Sequence, residues 1–156
     1  MKYNFAATLA VANAFSNSVP VFGRYPGWVD QSEGTSGITI DMFYDFLCDD
    51  SNHQNAVFNE FMETEWNGAS VRDQVNIAFT PFVLPYHNHS FQVTQIVPYL
   101  LAQCAEDATT CSMLDSYKDY CFTQLSDVLS QSDVSKEDFI AEWTAQIAEE
   151  FDLDQA

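Results

Sequence analysis

Residues 38–47 alternate along their length: Ile38, Ile40, Met42, Tyr44 and Phe46 fall on one side of an extended chain, with Thr39, Asp41, Phe43, Asp45 and Leu47 on the other. A period of two carried by β-branched and aromatic residues is a strand, and this one is predicted to end at Cys48. From Ser51 to about Trp66 the period changes. Val57, Phe58, Phe61, Met62 and Trp66 fall at helical spacing and give one apolar stripe, which Asn67-Gly68 is expected to stop. A second strand follows, with Val75, Ile77 and Phe79 alternating against Gln74, Asn76 and Ala78. Pro81 and Pro85 close it, because neither can donate to a sheet ladder. A strand–helix–strand unit of this length predicts a right-handed crossover with parallel strands. Parallel strands end on the same edge of the sheet, so Cys48 and the 81–90 segment should meet there. That edge is where open α/β sheets place their sites.

The remainder reads as helical. Phe91, Ile96, Val97, Leu100, Leu101 and Cys104 form a stripe, with a kink expected at Pro98 because proline cannot donate an interior hydrogen bond. Met113, Leu114, Tyr117, Tyr120, Cys121, Leu125, Val128 and Leu129 form a second. A third begins at Ser135, where Asp138 three residues on makes a capping box ahead of Phe139, Ile140, Trp143, Ile147 and Phe151. Residues 19–37 are rich in Pro, Gly, Ser and Asp and read as a loop that has room for an edge strand near Val19 to Phe22.

The 156-residue chain carries 5 Lys+Arg against 23 Asp+Glu, a formal net charge of −18. A surface this acidic repels phosphate backbones and anionic lipid, which removes nucleic acid from the expected partners. No stretch approaches the length of a membrane-spanning helix. The acidic side chains lie mostly between apolar stripe positions or in turns, as a solvated face does. The 23 aromatic residues (13 Phe, 7 Tyr, 3 Trp) argue for a packed core.

Lys2 precedes an apolar run over residues 5–15, and Ser16 and Ser18 have the spacing of a cleavage site. Residues 1–18 therefore read as a signal peptide and the chain as a secretory-pathway protein, extracellular or in an endomembrane lumen. Asn88-His89-Ser90 is a glycosylation sequon that such a compartment permits. The division expected is thus 1–18 signal peptide, 19–37 loop or edge strand, and one domain over 38–156. Within that domain, 38–84 is β-α-β and 87–156 helical.

The segment Met42-Phe-Tyr-Asp-Phe-Leu-Cys48-Asp-Asp-Ser51 resembles the active-site strand and helix start of the thioredoxin superfamily, in particular its DsbA-like branch, whose apolar strand runs into C-x-x-C. The segment from Phe79 to Phe91, containing Pro-Tyr-His87, is similar to the one that leads those proteins into a helical insertion. The resemblance covers about residues 37–150 and implies an α/β thioredoxin-like fold with a large helical part. It also implies thiol–disulfide exchange at Cys48 on protein or peptide thiols and disulfides. Ser51 stands where the resolving cysteine would be, so a mixed disulfide at Cys48 would wait for an external thiol such as glutathione. The family's C-terminal hairpin with its cis-proline has no counterpart, since no proline follows Pro98. Two strands alone make a poor sheet. The sheet is expected to be incomplete unless the chain is a fragment, an assembly partner completes it, or 19–37 adds a strand.

Cys48 at a helix N-terminus gains from unpaired amides and the dipole, whereas Asp49 and Asp50 oppose a thiolate. Cys104 and Cys111 flank a six-residue turn and are the preferred disulfide, with Cys104–Cys121 second. Cys111 and Cys121 on one helix would be roughly 15 Å apart, beyond bridging reach. His53, His87 and His89 fit no standard zinc spacing, so no metal and no cofactor is expected. A hydrolase pair of Cys48 and His87 would need an orienting group and an oxyanion hole. His87 is instead expected to be structural or to tune Cys48. Two functions follow: monothiol exchange at Cys48, or a non-catalytic thioredoxin-fold subunit that binds partners or builds a larger assembly.

Overall fold

A computed structural model describes residues 27–29 and 34–153. Its strands are β1 (Trp28–Val29), β2 (Ile38–Tyr44), β3 (Glu65–Trp66), β4 (Ala69–Ser70) and β5 (Val75–Pro81). Its helices are α1 (Asp49–Met62), α2 (Ser90–Thr94), α3 (Ile96–Glu106), α4 (Ser112–Ser130) and α5 (Lys136–Glu150), with a 3-10 turn at Ala108–Thr110. The expected signal peptide and the expected edge strand near Val19 lie outside the described residues.

The two alternating runs pair in parallel, from Ile38 opposite Val75 to Tyr44 opposite Pro81. A third strand does come from the 19–37 region: β1 runs antiparallel to β5, with Trp28 opposite Phe79 and Val29 opposite Ala78. The sheet order is β1-β5-β2. Gly27 allows this pairing, since a Cβ there would collide with the carbonyl oxygen of Phe79 and the hydroxyl of Thr80.

Two local expectations change. The first helix starts earlier and ends earlier than its apolar stripe: Cys48 is its N-cap and Glu63 its C-cap. Asp49 and Asp50 in the first turn favour the early start, because carboxylates are stabilised by the positive end of the helix dipole. Asn67 and Gly68 do not terminate this helix. Both have positive φ (50° and 88°), and they form the two-residue turn of a β3–β4 hairpin in which Glu65 faces Ser70 and Trp66 faces Ala69. In the helical part, the kink at Pro98 is a break. Pro98 lacks the N–H that would reach the carbonyl of Thr94, so α2 ends there and α3 restarts at Ile96. Phe91 is exposed and Val93 takes the core position instead.

One face of the sheet carries Trp28, Tyr44, Ile77 and Phe79 into a core with Val97 and Leu100 of α3, Leu114, Tyr117 and Leu125 of α4, and Phe139, Trp143 and Ile147 of α5. Few polar groups enter it, and most are paired. Tyr117 donates its hydroxyl to the Val93 carbonyl at 2.5 Å and accepts from Trp143 Nε1 at 3.0 Å. Trp28 Nε1 donates to Asp115 at 3.0 Å, tying β1 to α4. The buried Lys118 ammonium joins α4 to α1, donating to Asn55 Oδ1 at 3.1 Å while lying 4.3 Å from the centre of the Phe79 ring. Cys104 and Cys111 form the disulfide between α3 and α4. Ser135 caps α5, its hydroxyl oxygen accepting from the Asp138 amide at 3.1 Å. No described helix is long and apolar enough to cross a membrane.

Candidate functional site

The ends of β2 and β5 come together as parallel pairing requires: the Phe82 amide donates to the Tyr44 carbonyl at 2.8 Å. Beyond Tyr44 the chain leaves the strand and residues 44–48 are all buried, so the alternation that exposes Asp41 and Phe43 stops applying. Asp45 consequently turns inward, with a side chain that is wholly buried.

A buried carboxylate needs a full set of donors, and Asp45 has four. One oxygen accepts from the Leu47 amide at 2.8 Å and the Ser90 hydroxyl at 2.6 Å. The other accepts from the Leu84 amide at 2.8 Å and faces Nδ1 of His87 at 3.0 Å. Its backbone carbonyl also accepts from the Cys48 amide at 3.2 Å. One residue thus fastens the start of α1, the loop after β5 and the first residue of α2. Sequence reasoning missed Asp45. The available signal was an acid inside the otherwise apolar run into Cys48.

Cys48 is where the sequence places it, at the N-terminus of α1 in extended conformation (φ −111°, ψ 124°). It is 8% exposed and carries no disulfide. Its sulfur has no hydrogen-bond partner among the described residues. Asp49 and Asp50 beside it are exposed, and Ser51, half-buried, occupies the third position of the helix. The approach of His87 to this end of the sheet is as expected, but its hydrogen bond goes to Asp45. Its link to Cys48 therefore runs through the Asp45 backbone.

The three histidines are dispersed. His53 is exposed on α1. His89 is buried, its Nε2 lying 3.1 Å from the Gln131 carbonyl and its ring stacked on Phe139 at 4.0 Å. No group of three or more potential metal ligands occurs among the described residues. Asn88 is half-buried and donates its amide to the Ser132 carbonyl at 3.2 Å, so a glycan would have to be built on a nitrogen already engaged. Cys121 is buried in the core, which pushes its thiol well above the usual range and leaves it unreactive.

On the face of the sheet opposite the core, Phe43, Thr80, Pro81, Phe82 and Val83 line a groove of about 460 Å³. Phe43 and Phe82 are each 57% exposed. Compared with protein-family models, curated proteins and solved structures, the chain matches none.

Proposed function

We propose that this chain is a thioredoxin-like protein of the DsbA-like branch, secreted or held in an endomembrane lumen, that works as a non-catalytic binding or structural subunit. The observation that carries this reading is Cys48: a residue only 8% exposed, with Ser51 one turn away where an exchanging pair would have its second sulfur. A dithiol enzyme needs an accessible first sulfur and a resolving partner. The Asp45 clamp adds support, since it holds the loop beside Cys48 by bonds to Leu84, His87 and Ser90. The Cys104–Cys111 disulfide fits an oxidising compartment.

One feature favours monothiol chemistry as a second reading. The Cys48 sulfur has no hydrogen-bond partner among the described residues and sits at the N-cap of the 14-residue α1. In that reaction the Cys48 thiolate would attack a substrate disulfide and one substrate sulfur would leave as a thiolate; an external thiolate would then attack the substrate sulfur bound to Cys48, forming a disulfide with it and releasing Cys48 as a thiolate. Incubating the native protein with oxidised glutathione and measuring its intact mass separates the two. No adduct at Cys48 supports the binding subunit; a rapid adduct, released by reduced glutathione and absent in Cys48→Ala, would overturn it.

A further inference from the structure

The Cys104–Cys111 disulfide spans the turn between α3 and α4. Its two residues are half-buried, whereas the free cysteines, Cys48 and Cys121, are buried. The residues from Ala105 to Thr109 are exposed. Both bridged cysteines line a cleft of about 220 Å³, whose other walls include Trp28, Val29 and Leu114. A thiol arriving from solvent therefore finds these cysteines between an exposed turn and a cleft. Exchange at a disulfide depends on such access as well as on the attacking thiolate.

The turn is also held without the bond. The Asp107 carboxylate accepts from the Thr109 amide at 2.9 Å and from the Thr109 hydroxyl at 2.8 Å. The Asp107 carbonyl accepts from the Thr110 amide at 3.0 Å and from the Thr110 hydroxyl at 2.8 Å. At its two ends the turn is tied by the Asp107 amide, which donates to the Gln103 carbonyl at 2.8 Å, and by the Cys111 amide, which donates to the Ala108 carbonyl at 3.3 Å. The bridged residues are only seven positions apart, and a short loop leaves a disulfide less chain entropy to remove from the unfolded state than a long one does. Opening the bond should therefore leave α3 and α4 joined, with the two sulfurs close enough to pair again.

We propose that Cys104 and Cys111 are a reversible redox pair, opened by an external dithiol and closed again by a disulfide while the fold persists. One thiolate of the dithiol attacks a sulfur of the pair; the S–S bond breaks and the other cysteine leaves as a thiolate, which takes a proton from water. The second thiolate of the dithiol then attacks its own sulfur in the mixed disulfide. That step forms the partner's disulfide and releases the remaining cysteine, so two electrons have passed to the pair. This goes beyond the binding-subunit reading, because it adds a redox response at cysteines other than Cys48.

The probe is dithiothreitol, a small dithiol, applied to the native full chain and to the same chain unfolded in urea. Samples are quenched by alkylation and read by peptide mass, which assigns each label to its cysteine. Reduction of the native protein is expected to lag that of the unfolded chain by less than about tenfold. Far-UV circular dichroism should stay unchanged as the bond opens, and oxidised glutathione should restore the bond. A greater lag, or loss of dichroism on opening, would overturn the proposal, because either marks the bond as a staple of the fold. The double variant Cys104→Ser, Cys111→Ser should keep its dichroism; an unfolded variant would overturn the proposal as well. A rapid glutathione adduct at Cys48 would sink the binding-subunit reading and leave this one standing, since the labels fall on different cysteines.

Discussion

Nδ1 of His87 and Oδ2 of Asp45 meet at 3.0 Å although 42 positions separate them in the chain. That contact joins the loop after β5 to the turn after β2, and it is one of four that make Asp45 the fastening point at this end of the sheet. A histidine read as a tuner of Cys48 thus holds the loop in place beside it.

Asp45→Asn should lower stability by about 2–4 kcal/mol, because an amide places two hydrogens among groups that all donate to a carboxylate. Ser90→Ala removes one donor and should cost about 1 kcal/mol. Urea unfolding midpoints of the two variants test the ranking. Equal small losses would show that the carboxylate is not the hub.

Tyr44 is buried, and its hydroxyl has no hydrogen-bond partner among the described residues. Burial pushes its ionisation up from 10.0 to about 12. The folded state therefore favours the neutral phenol. Its contribution is fully present below pH 10 and is lost as pH rises through about 12. Tyr44→Phe should flatten that alkaline decline and raise stability at neutral pH by up to about 1 kcal/mol, since an unpaired hydroxyl is removed. Denaturant titrations at several alkaline pH values check both.

Alkylation of the native, unreduced protein should label Cys48 slowly and leave Cys121 untouched, because Cys121 is wholly buried and its thiol is raised by that burial. Unfolding without reduction should give two labels, and reduction four. Four labels before reduction would contradict the Cys104–Cys111 bridge. Mass spectrometry of the intact chain reads every state.

Ser135→Ala deletes the cap of α5 and should cost about 1 kcal/mol. Ser135→Asp should recover most of it, as aspartate also accepts from the third amide of the helix. Thermal unfolding of the pair distinguishes a lost cap from a disturbed core.

Much of the scaffold was readable in the chain because it depends on local periodicity. The two alternating runs became the parallel pair β2 and β5, the helical stripe between them became α1, and Ser135 and Asp138 marked the start of α5. The Cys104–Cys111 bridge was readable from its short spacing. Readings failed where one local signal serves two geometries. Asn-Gly suits a helix end and a hairpin turn alike, and the choice fell to the hairpin once Trp66 could pair with Ala69. Phe91 has helical spacing to Cys104, but the missing amide of Pro98 split the helix and turned that side chain outward.

The sequence by itself determined the order of the main strand–helix–strand unit and of the helices after it, and the parallel pairing of β2 with β5, because hydrophobic period and connection length act over short spans. Only the tertiary structure decided that Asp45 is buried, that His87 bonds to it, and that Trp28–Val29 adds a third strand to the sheet. Each of those depends on which distant donor or strand arrives at a given place. A carboxylate in an alternating run reads as solvated until the chain folds four donors around it.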